Sequence, residues 1–169
     1  KLSAAYAGLG EGDKALDFQR QYLEKGTNIT STDWANFAGI YIKMGDQVDS
    51  LDHAKAVGYY TQAMDVYEKM TEKFPTLKDW CWVAEASVAL GKLKDLDKVR
   101  DLYMKVAEYE EAKADKSDAN TKNYLVAAYY FLGYYYAGKN DAETSKSYFE
   151  KLIQIDPENA EAKKALGLE

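Results

Sequence analysis

The chain has 169 residues, 47% of them hydrophobic, with 2 prolines and a formal net charge of −6. That composition suits a folded, mostly helical protein and not a disordered one, and the lysines are mixed with acids along each segment instead of gathered on one face, which argues against nucleic-acid binding. The single cysteine, Cys81, excludes an internal disulfide, and no apolar run approaches the roughly 18 residues of a membrane-spanning helix.

In chain order, the first stretch, residues 1–26, places Leu2, Tyr6, Gly10 and Ala15 at helical spacing, with the start of its first helix missing. Because the chain begins at Lys1 inside a helix pair, it reads as the C-terminal piece of a longer protein. The glycines at 8, 10 and 12 lack the strand and the G-K-[ST] that a phosphate loop requires, so they are expected to form a turn between helices. Asn28-Ile29-Thr30 matches the glycosylation sequon but is read as a link, with Ser31 or Thr32 able to cap the next helix.

The next stretch, 31–75, carries Trp34, Phe37, Ala38, Tyr41 and Gly45, an aromatic residue followed by a large and then a small apolar one. Its second half, Ala63, Tyr67, Met70 and Pro75, keeps the same rhythm only if about a dozen residues are inserted near 47–58. Leu51, Ala54 and Val57 keep helical spacing inside that insertion, which predicts a long helix from near Ser50 to near Phe74. Residues 77–115 repeat the pattern less well, with Trp80, Val83, Ala84, Ser87 and Gly91, then Val99, Tyr103 and Val106. The polar run after Ala114 is a loop, since it lacks the alternating oxygen ligands of an EF-hand.

The clearest stretch lies within 120–159. From Val126 to Asn159 it reads VAAYYFLGYYYAGKNDAETSKSYFEKLIQIDPEN, with Tyr129, Leu132, Gly133, Tyr136, Ser145, Phe149, Leu152 and Pro157 at positions 4, 7, 8, 11, 20, 24, 27 and 32. This closely resembles a tetratricopeptide repeat, W-x2-L-G-x2-Y, then A-x3-F, then P, at a period of 34 residues. The resemblance implies an all-α fold, a right-handed α-solenoid of stacked antiparallel helix pairs. Gly133 and Ser145 are expected where the two helices cross closest, and Pro157 ends the second helix. Residues 160–169 are read as one short amphipathic capping helix.

In this family the first helices line a concave groove through positions 2, 5, 9, 12 and 13. Carried over, these are Thr32, Ala35, Gly39, Ile42 and Lys43, then Lys78, Cys81, Glu85, Val88 and Ala89, then Ala127, Tyr130, Tyr134, Ala137 and Gly138. The family's clamp for a peptide's C-terminal carboxylate finds matches only at Asn36 and Lys78, with Trp82 where its arginine should stand and Ala4 in place of an asparagine. No such clamp is expected. The resemblance instead implies a non-enzymatic scaffold for a protein or peptide, with Asn36, Lys43, Lys78, Glu85, Tyr130 and Tyr134 as groove candidates. The alternative is a structural or oligomerisation module that packs against itself or another domain.

Six of the fifteen tyrosines fall between Tyr124 and Tyr136, so some must be core, and Tyr130 and Tyr134 divide between groove contact and packing against the cap or a neighbouring helix. The only histidine, His53, has neither a nucleophile to serve nor the further ligands of a zinc site and is read as solvated. No catalytic residue, metal or cofactor is expected, and the residues leave cytoplasm and periplasm equally open.

Overall fold

The computed structural model describes residue 6 and residues 11–114 and 118–168. Leu2, Ala4 and Gly10 of the first stretch, and three residues of the polar run after Ala114, lie outside the described residues. Among those described there are eight α-helices and no strand: α1 Gly12–Lys25, α2 Ser31–Val48, α3 His53–Lys73, α4 Lys78–Val88, α5 Leu96–Glu111, α6 Ala119–Gly138, α7 Ala142–Ile155 and α8 Ala160–Leu166. Among them, no helix is long and apolar enough to cross a membrane.

Short polar side chains start most of these helices. Thr30, Asp52, Asp95, Asp118, Asp141 and Asn159 each accept a backbone N–H from the first turn that follows, which satisfies donors that have no partner within the helix. At α2 the cap is reciprocal. The Asp33 amide donates to Thr30 Oγ1 while Asp33 Oδ2 accepts from the Thr30 amide at 2.9 Å. The ends follow the prolines: α3 stops at Phe74 before the 3₁₀ turn Pro75–Leu77, and α7 stops before Pro157.

The chain forms two compact units, residues 1–94 and 95–169. The division falls inside the stretch 77–115. In the first unit α2 pairs with α3, flanked by α1 and α4; in the second α6 packs against α5 and α7, and α8 lies on α7. In the first unit α2 has 18 residues and α3 has 21, about 31 Å for the latter. The long helix expected from Ser50 begins at His53, because α2 continues to Val48 and residues 49–52 make the turn.

The pair α6–α7 shows why its spacing is what it is. Gly133 and Ser145 meet where the helices cross, and the buried Ser145 hydroxyl donates to the Gly133 carbonyl at 2.9 Å. A Cβ on Gly133 would lie 2.8 Å from the Phe149 ring, so only glycine permits this approach. Tyr129, Leu132, Phe149 and Leu152 are buried around the crossing. Tyr136 is half-buried and stacks on Tyr148, ring centroids 5.7 Å apart. In α2–α3 the corresponding close approach sets Gly45 against the ring of Tyr60, whose wholly buried hydroxyl donates to Asp46 at 2.8 Å.

Candidate functional site

The face that α4 presents differs from the expected one. Cys81, Glu85, Val88 and Ala89 are buried, while Trp80 is 38% exposed and Ser87 is exposed. Carrying the template straight through this helix assumes an unbroken α-helical phase, in which each residue turns the chain by about 100°. That phase holds over Lys78–Val88, a regular α-helix followed by the π-helical turn Ala89–Leu93, so Cys81 and Glu85, one turn apart, share a face, and packing covers that face. Glu85 is therefore a correction. At 3% exposure its carboxylate is not offered to solvent, and no acid stands at that place on the face.

What α4 does offer is Trp80. With Leu77 it borders a groove of about 380 Å³ against Ser31, Thr32 and Ala35 of α2. Thr32 and Ala35 are groove positions read from the sequence; Trp80 is not among them. Its ring meets the edge of Tyr67 at 5.8 Å and 77°, which holds one end while the other faces the groove. Asn36 and Lys43 stand exposed on α2, about two turns apart. Lys78 is half-buried at the first turn of α4.

In the second unit Tyr130 and Tyr134 lie one turn apart on α6, each 41% exposed. Their rings are 4.9 Å apart and tilted by 60°. Tyr134 also meets Phe149 edge-on at 5.1 Å and donates its hydroxyl to Glu161 of α8 at 2.7 Å. That hydrogen bond, with burial behind it, pushes the phenol up to about 12. Tyr134 is thus tied to the terminal helix, and both rings still face solvent. The acid beside them is Glu161, 27 residues away from Tyr134 in sequence, and no spacing rule points to it.

Chemistry has little to work with. His53 is exposed, its Nδ1 2.6 Å from Asp49 Oδ1. The Cys81 thiol is pushed up to about 11 by burial, then by Asp79 and Glu85, the reverse of an activated nucleophile. Among the described residues no group of three or more histidines, cysteines or acids is placed to hold a metal ion.

A sequence model described as a tetratricopeptide repeat matches residues 126–159. Among solved structures, the C-terminal part of a TPR repeat-containing protein from Cytophaga hutchinsonii is similar at 16% identity with a TM-score of 0.55, covering 97% of this chain and 84% of that one. MamA from Desulfovibrio magneticus RS-1 is 20% identical at a TM-score of 0.49, and a double mutant of MamA RS-1 is 22% identical at 0.48, each covering 99% of this chain and 78% of the other. No curated protein matches. Spacing, crossing geometry and comparison agree: residues 126–159 are a tetratricopeptide repeat, set in an all-α fold of antiparallel helix pairs like that of TPR proteins.

Proposed function

We propose that the protein is a non-enzymatic scaffold that binds a protein or peptide segment through its concave groove positions. The observation that carries this reading is the tilted pair Tyr130 and Tyr134, two large rings left 41% exposed on a helix whose other side is core. Tyrosine and tryptophan offer rigid, amphipathic contact area at low entropic cost and dominate binding hot spots. In the first unit the groove beside Trp80 has the same character.

The test compares proteins recovered from source-cell extract on the wild type, on Tyr130→Ala and on Tyr134→Phe, all with unchanged helical circular dichroism. Tyr134→Phe keeps the ring and removes only the bond to Glu161. A partner held by wild type and Tyr134→Phe but lost by Tyr130→Ala supports the reading. The same partners on all three would end it.

One observation favours the second reading, a structural or oligomerisation module. Leu51, at the turn of the long α2–α3 pair, is 88% exposed. Sedimentation equilibrium of the wild type and Leu51→Ser decides it: self-association abolished by the substitution supports that reading, and a monomeric wild type removes it.

A further inference from the structure

A second cleft in the first unit lies on a different face, between α1 and α3, with α2 behind it. It encloses about 430 Å³. Its floor is largely aromatic, with Leu23 and Val66 beside it: Trp34, Phe37 and Tyr41 follow one another along α2 at helical spacing, with the Phe37 and Tyr41 rings 5.0 Å apart. Phe37 and Tyr41 are themselves buried, whereas Trp34 is only half-buried.

The rim is cationic. Lys69 and Lys73 stand one turn apart on α3, and Arg20 faces the cleft from α1. Lys73 lies over the Trp34 ring, its Nζ 5.1 Å from the centroid. Neither lysine forms an ion pair with any described residue. Among the described residues Arg20 bonds only Asp17, three residues before it, at 3.2 Å, with both side chains half or more exposed, and an exposed pair of that kind yields readily to a better partner. Two acids, Glu24 and Asp65, also line the cleft. Each sits four residues from a cation of its own helix, Glu24 from Arg20 and Asp65 from Lys69. The lining therefore holds three cations against two acids, with Lys73 on the tryptophan. A surplus of positive charge around an aromatic floor is thus found in a chain whose net charge is −6.

We infer that this cleft binds an acidic segment of a partner protein, with one aromatic or branched aliphatic side chain entering against Trp34 and flanking carboxylates pairing with Lys69, Lys73 and Arg20. The apolar anchor supplies burial. The carboxylates supply charge-assisted hydrogen bonds, bidentate at Arg20, and fix the direction of the segment. A basic segment would instead bring like charge to a lining that holds three cations against two acids. The site uses none of the groove positions of α2, α4 or α6, so it stands apart from the function proposed above.

The test uses an N-acetylated hexapeptide with two acidic residues on each side of a Leu-Phe pair, titrated into the protein and followed by tryptophan fluorescence and calorimetry. Its amide isostere, with Asn and Gln for the acids, is the control. Lys69→Gln with Lys73→Gln, both exposed and so compatible with folding, is expected to weaken binding at least tenfold, as is replacement of the acids by amides. Trp34→Phe is expected to abolish the fluorescence change while calorimetry still detects binding. Lys43→Gln with Lys78→Gln, the same charge loss on the other face, is expected to change affinity less than twofold. Equal binding of the isostere overturns the inference. So does an equal loss from both lysine pairs, which would mean diffuse attraction, or a loss from the Lys43 and Lys78 pair alone, which would put the peptide in the groove.

Discussion

Gly133→Ala sets two effects of known sign against each other. Alanine in a helix interior is favoured over glycine by about 0.8–1.0 kcal/mol, so without a packing constraint the substitution stabilises. Here the added Cβ would sit 2.8, 2.9 and 3.0 Å from three carbons of the Phe149 ring. Phe149 is 3% exposed and braced edge-on by Tyr134, so the ring cannot swing aside, and overpacking of this kind costs about 1–3 kcal/mol. Separating the helices also stretches the buried bond from Ser145 to the Gly133 carbonyl, worth about 0.5–1.5 kcal/mol. The balance is a net loss of about 0.5–4 kcal/mol, centred near 2. The assay is urea unfolding followed by circular dichroism, in which the midpoint falls at unchanged slope. Gly58→Ala is the control, since it is helical with open space where the Cβ would go, and it should gain up to about 1 kcal/mol. A Gly133→Ala protein as stable as wild type, beside a stabilised Gly58→Ala, would refute the argument that the crossing requires glycine.

Tyr60→Phe leaves the ring against Gly45 and removes the hydroxyl that donates to Asp46, at a cost of about 1 kcal/mol. Lys92 also bonds Asp46, at 2.5 Å, so a double-mutant cycle with Lys92→Met should show non-additivity, and strict additivity would deny the shared network. Cys81, wholly buried and with its thiol pushed up to about 11, should resist a disulfide reagent near neutral pH until the chain is unfolded; rapid labelling of native protein would contradict its burial. Hydrogen bonds from the Thr30 amide and then its hydroxyl hold the Asp33 carboxyl below the usual carboxylate range. A depressed folded pKa stabilises above the unfolded value and is lost as pH falls through the folded one. The advantage of wild type over Asp33→Asn should therefore be full above about pH 5 and fade below about pH 4. An advantage unchanged across that acid limb would mean the cap does not depend on charge.

Local steric and periodic rules are written into the sequence, and these were legible. Pro75 and Pro157 mark ends, and the small residues Gly133 and Ser145 mark a crossing that only small residues allow; the cap of α2, expected at Ser31 or Thr32, is instead Thr30. Each depends on neighbours within one helix pair, so one 34-residue pattern contains the information. The tertiary structure alone decided which side of α4 faces outward. Trp80, Cys81 and Glu85 all lie within one regular α-helix, and packing covers the last two while leaving Trp80 exposed; a spacing template gives a residue's place along a helix but not what its neighbours cover. It also decided the partners of Tyr134 and the cationic rim of the α1–α3 cleft. Glu161 lies 27 residues from Tyr134, and Arg20 lies far along the chain from Lys69 and Lys73. Side chains on different helices become neighbours only through packing, for which sequence spacing has no rule.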